Sequence, residues 1–225
     1  MGISSIWIIV IGVMLASLLI QNVLQSKFDK YSRVRCSLSG ADVARKMLRD
    51  NGINDVEVCS VPGMLTDHYD PSSKRINLSE GVYGQYSIAA AAVAAHETGH
   101  ALQHANGYVP LKLRSLLVPA VTFANNTVQW VLLAGVLFLQ IIGPSVLWIG
   151  IALFAMSTLF SLITLPVEIN ASRRAVSWLE LSGITTYETR PMAADALKWA
   201  AYTYVIAALG SLATLFYYIG LARRN

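Results

Sequence analysis

The sequence predicts a multi-pass α-helical membrane protein, with about four transmembrane helices and a small α+β domain on the cytoplasmic side. Three observations predict it. Of the 225 residues, 55% are hydrophobic and only 13% charged, about half the charged share of a soluble domain. The apolar residues gather in blocks long enough to cross a bilayer, and those blocks contain no Asp, Glu, Lys or Arg. The cations are also one-sided: with these crossings, all 17 Lys and Arg except Arg223 and Arg224 fall on the same side of the membrane.

The first block, residues 3–24, is an apolar run preceded by nothing basic. The following LLIQNVLQSK offers no cleavage motif, so the block reads as a retained anchor rather than a secretory signal. The second block spans 116–142 and carries Asn125, Asn126, Thr127 and Gln129, which read as inter-helix hydrogen-bonding groups ahead of a substrate path. The third spans 145–165 and the fourth 200–222. The predicted organisation is a first transmembrane helix in 1–24, an α+β domain in 25–115 and a transmembrane hairpin in 116–165. A helical segment, 166–199, and a last transmembrane helix with a short tail, 200–225, complete it.

Regions 25–115 and 166–199 then share a side, and their excess of Lys and Arg places it in the cytoplasm. The net charge of +4 is accounted for by this topology and by anionic headgroups of the lipid bilayer; it calls for no nucleic-acid partner. Cys36 and Cys59 lie on that side, where free thiols are the default, and their spacing matches no metal motif.

Within 25–115, residues 37–53 read as a helix with Ser39 as N-cap and Asn51-Gly52 as its end. DVEVCSV, 55–61, alternates and is rich in β-formers, so it reads as a strand. Pro62-Gly63 signals a turn. MLTDHYD and KRINLS flank a hairpin loop built on Asp70-Pro71-Ser72-Ser73. A second helix runs from Ser87, its N-cap, to Asn106, with Gly107 as stop. In 166–199, Pro166 is expected to leave the third crossing, 167–181 to form a separate helix stopped by Gly183, and Arg190-Pro191 to open a helix running into the last crossing.

The chemistry concentrates in AAHETGHALQH, 94–104, which holds three of the four histidines. His96-Glu97-Thr98-Gly99-His100 fits H-E-x-x-H. Positions i and i+4 of an α-helix lie about 40° apart on one face, so both imidazoles can address one ion. Glu97 can reach a water on that ion without being a ligand. A catalytic zinc suits such ligands and keeps one position open, and the carboxylate then serves as general base.

A third ligand must come from the same side of the membrane. Glu168, in LPVEINASRRA just past the third crossing, stands out because the crossings carry no acid. It also suits a helix-dipole partner, but the H-E-x-x-H motif favours ligation.

Read in order, TDHYDP, AAHETGHALQ, LPVEINASRRA and ALKWAAYTYV resemble the membrane-bound neutral zinc metallopeptidases of the YugP type, over nearly the whole chain. The resemblance implies a multi-pass bacterial membrane protein with a cytoplasmic zincin-like hydrolase site and one zinc ion per chain. It implies that His96, His100 and Glu168 are the metal ligands and Glu97 the catalytic glutamate. The pattern is also similar to the HtpX-type membrane gluzincins, whose downstream motif is E-x-x-x-D. Here Ser172 occupies the last position, leaving Asn170 or Ser172 to orient a ligand histidine.

His104, one turn beyond His100, reads as an orienting or surface residue rather than a ligand. His68 and Tyr69, on a predicted strand, are candidates to line a sheet edge that holds peptide substrate and to steady an oxyanion; a hairpin hydrogen bond is an equal alternative for His68. Arg173 and Arg174 suit a substrate carboxylate or lipid headgroups. The leading reading is a zinc endopeptidase acting on membrane or membrane-proximal proteins. The rival readings are an intramembrane protease, disfavoured because no crossing carries an acid, and a non-catalytic scaffold.

Overall fold

The computed structural model describes residues 3–138, 141 and 145–223. The end of the second predicted crossing (139, 140 and 142) and Arg224 lie outside the described residues. The chain is mostly helical, with a three-stranded sheet. Among the described residues, four helices are long and apolar enough to cross a membrane: α1 (Ile3–Ser32), α5 (Val109–Leu137), α6 (Ser145–Leu181) and α7 (Arg190–Ala222). Between α1 and α5 come α2 (Gly40–Asp50), β1 (Glu57–Val61), β2 (His68–Asp70), β3 (Arg75–Ser79), α3 (Glu80–Tyr83) and α4 (Ile88–Ala105). These residues form two compact units. One gathers the chain up to Leu19, Lys112–Leu165 and Thr203 onward; the other gathers Ile20–Leu111 and Pro166–Tyr202.

In the second unit, local signals set the helix ends. Ser39 Oγ accepts from Asp42 N and Ser87 Oγ from Ala90 N, each capping a helix start. Gly107, at φ 63°, ends α4 in the left-handed region open to glycine. The sheet runs β1-β3-β2, with β1 parallel and β2 antiparallel to β3. Val58, Ile76 and Leu78 face the core, where they meet Val43, Ala44, Met47 and Leu48 of α2 and the alanine row of α4. Alanines at 90, 91, 92, 94 and 95 are wholly buried, so α4 forms the middle of this unit's core. From the later segment, Ala175, Leu179, Ala193 and Leu197 complete this core. Tyr31 O–H donates to Asp195 Oδ2 at 2.7 Å, and Lys27 Nζ pairs with the same oxygen at 2.7 Å, tying the end of α1 to the start of α7.

Pro166 does not end a helix. α6 runs unbroken through it, as α5 runs through Pro119. A proline inside a helix removes one rung, a loss that long helices packed on neighbours absorb. The apolar stretch 145–165 and the segment bearing Glu168 therefore belong to one helix. The first helix likewise continues past residue 24 to Ser32.

In the first unit, Val128, Leu132, Leu147 and Ile151 form a small core. Ser157 Oγ donates to Asn125 Oδ1 at 2.6 Å, an inter-helix bond of the kind expected for that polar group.

Candidate metal centre

The H-E-x-x-H run occupies the middle of α4. The rings of His96 and His100 lie edge to face, with centroids 4.8 Å apart. Glu168 approaches them from α6, and the approach depends on a residue without a side chain. A β-carbon on Gly99 would stand 2.8 Å from the carbonyl oxygen of Ala171, so α4 and α6 touch backbone to backbone between the two histidines. That contact brings Glu168, only 2% exposed, to the imidazoles. Its Oε2 lies 3.2 Å from Nε2 of His96 and 3.4 Å from Nε2 of His100. One ligand atom from each of the three residues lies within 4.8 Å of the others.

These separations fit a shared ion. Donors held about 2.0–2.1 Å from one tetrahedral zinc stand about 3.3 Å apart. The donor set, two imidazoles and a carboxylate, is also one zinc prefers. Both outer ring nitrogens have partners. Nδ1 of His96 lies 3.1 Å from Ser172 Oγ, and Nδ1 of His100 lies 3.1 Å from Gln103 Oε1. Each leaves Nε2 facing Glu168. Burial pushes the Glu168 carboxyl up, but hydrogen bonds from His100 and His96 outweigh it and hold the group well below the usual carboxylate range. Burial pulls His100 down; Glu168 and the charge of Glu97 overcome that and leave it raised. Glu97 is buried beside the pair.

The other sequence candidates divide. Ser172 contacts His96 directly. Asn170 reaches the site only through Gln103, whose Nε2 donates to its Oδ1 at 3.0 Å. His104 is exposed and joined to Tyr69, with Tyr69 Oη 2.9 Å from its Nδ1; it is outside the His96–His100–Glu168 cluster. His68 lies on β2 opposite Asn77, with Nδ1 2.7 Å from Thr66 O and Nε2 3.0 Å from Asn77 Nδ2. Arg173 is exposed, whereas Arg174 donates to Asn170 Oδ1 at 2.8 Å. Two site residues escaped the sequence reading: Gly99, hidden in the variable part of the motif, and Gln103. The signal for Gln103 was its position seven residues after His96 on an otherwise alanine-rich helix face.

A family model described as "Putative neutral zinc metallopeptidase" matches residues 6–223. The chain is 44% identical over 200 residues, 87% of its own length and 87% of the relative's, to "Putative membrane protease YugP" of Bacillus subtilis (strain 168). No solved structure matches the chain. A match of this extent, on a chain whose clustered His96, His100 and Glu168 suit zinc, makes this protein a member of the neutral zinc metallopeptidase family.

Proposed function

We propose that the protein is a multi-pass integral-membrane endopeptidase, zinc-dependent and cytoplasmic in its active site, that cleaves membrane or membrane-proximal proteins. The observation that carries this reading is the convergence of His96, His100 and Glu168, from helices 72 residues apart in sequence, beside the buried Glu97. His96, His100 and Glu168 would hold one zinc ion, which would supply Lewis-acid chemistry there. Glu97 is the general base: it takes the proton from the attacking water and returns it to the leaving amine.

The substrate binds as an extended strand. β2 stands at an edge of the sheet, and a peptide can add to such an edge through main-chain hydrogen bonds. Tyr69 and His68 lie on that strand. Tyr69, paired with His104, would steady the oxyanion or a substrate carbonyl, while His68, engaged with Thr66 and Asn77, shapes the edge. Exposed Arg173 engages a substrate carboxylate or a lipid headgroup. The orientation follows from the excess of Lys and Arg in 25–115 and 166–199. Substrate class follows from sequence proximity, since Glu168 comes three residues after the apolar stretch ending at Leu165.

Glu97→Gln is the test. It should leave zinc content unchanged and lower peptide cleavage by the purified, full-length protein by a factor of about 10²–10⁴. Cleavage at the native rate by the zinc-loaded variant would refute the assignment.

A further inference from the structure

Gln103 is fully buried, and the hydrolytic scheme gives it no task. A buried amide must find partners, and this one finds three. Its Oε1 accepts from Nδ1 of His100 at 3.1 Å; its Nε2 donates to the main-chain oxygen of Val167 at 2.8 Å and to Asn170 Oδ1 at 3.0 Å. Val167 is the residue before Glu168. Only one amide orientation works: turned over, Nε2 would face the His100 ring and Oε1 would face two other oxygen acceptors. An oxygen at Nδ1 requires that nitrogen to carry a proton, so in the neutral ring, the form that binds a metal, the lone pair is on Nε2, 3.4 Å from Glu168 Oε2.

We propose that Gln103 is the positioning residue of the metal site, one amide setting the tautomer of His100 while pinning the main chain that presents Glu168. The inference rests on the zinc-peptidase reading. It assigns to a side chain on the motif helix itself both the orienting of a ligand histidine and the alignment of ligands from two helices. Asn170 completes the device, because its Oδ1 receives both Gln103 and Arg174.

The test measures zinc affinity of the full-length protein in detergent, by competition with a chromophoric chelator, together with the visible spectrum of the cobalt-substituted form. Gln103→Met, close in volume but unable to bond the ring, should bind zinc about 10–100-fold more weakly and alter the cobalt spectrum. Gln103→Glu keeps the acceptor for Nδ1 and loses the donor, so it should fall between Met and native; Asn170→Ala should weaken binding less than Gln103→Met. In the native zinc-loaded protein, the proton on Nδ1 of His100 should exchange slowly with solvent. Native-like affinity and spectrum in Gln103→Met overturn the proposal. Should that variant not fold, native-like affinity in both Gln103→Glu and Asn170→Ala, or rapid exchange at Nδ1 in the native protein, overturns it. Absence of zinc binding by the native chain would instead sink the peptidase reading, so the two failures are distinct.

Discussion

Gly99 and Ala171 meet main chain to main chain: a β-carbon at position 99 would lie 2.8 Å from Ala171 O and 3.2 Å from Ala171 Cα. The contact lies between His96 and His100 on α4 and three residues past Glu168 on α6. In an ordinary helix interior, Gly→Ala stabilises by about 1 kcal/mol. Here the added methyl meets backbone, which cannot swing aside, and overpacking of this kind costs about 1–3 kcal/mol. The clash wins. Gly99→Ala should lower the unfolding midpoint of the full-length protein and also weaken zinc binding, because the helices can relieve the contact only by carrying Glu168 away from the rings. A more stable variant with native zinc affinity would show that the approach of α4 and α6 is looser than described.

Zinc itself should stabilise the fold. A ligand that binds the native state and not the unfolded one adds about 2.7 kcal/mol at a concentration of one hundred times its dissociation constant. Thermal unfolding of chelator-treated protein should therefore shift upward on adding zinc, and His96→Ala should abolish the shift. The binding should weaken in acid, since protons compete for the imidazoles. A zinc response that survives His96→Ala would locate the ion elsewhere.

Ser172 offers His96 a neutral oxygen at 3.1 Å, where the similar E-x-x-x-D pattern offers a carboxylate. Removing the partner of a ligand histidine costs about 10–100-fold in metal affinity. A neutral hydroxyl contributes less than a charged acceptor, so Ser172→Ala should sit at the low end of that range. Ser172→Asp should bind zinc at least as tightly as the native protein. If both variants match native affinity, the hydroxyl does not orient the ring.

The parts of the site legible in the sequence are those whose residue type is dictated by chemistry. His96, Glu97 and His100 were visible through their helical spacing. Glu168 was visible because acids are scarce beside apolar stretches that carry none. Ser87 and Gly107 marked the ends of α4 through local capping. What stayed hidden depends on partners distant in the chain. The role of Gln103 exists only because Val167, 64 residues later, lies against α4. The role of Gly99 likewise exists only because Ala171 lies opposite it. The parallel pairing of β1 with β3, and hence the edge position of β2, is a tertiary choice that alternation along a strand does not encode. Pro166 misled in the other direction, because a local rule about proline was overridden by the length and packing of α6.

Beyond His96, His100 and Glu168, α6 is also fastened to α2. Trp178 Nε1–H donates to Asp50 Oδ2 at 3.2 Å, and Lys46 Nζ pairs with the same oxygen at 2.7 Å. The hydrogen bond from Lys46 leads in holding the Asp50 carboxyl below its ordinary value of 3.8, against a smaller opposing effect of burial. Side chains 37% exposed on both sides keep this fastening weak, about 0.2–1 kcal/mol for such pairs and less in high salt. Because the folded pKa is the lower one, the stabilisation is present above the unfolded value and lost as pH falls through the folded value. Asp50→Asn should therefore be slightly less stable than native at neutral pH, and the gap should close as the pH drops below 3.8 and narrow in concentrated salt. Zinc affinity should be unchanged, since Gly99–Ala171 and the Gln103 amide, not this outer clasp, hold Glu168 in place. Paired unfolding curves across that pH range decide it: a gap that widens in acid would reverse the assigned sign.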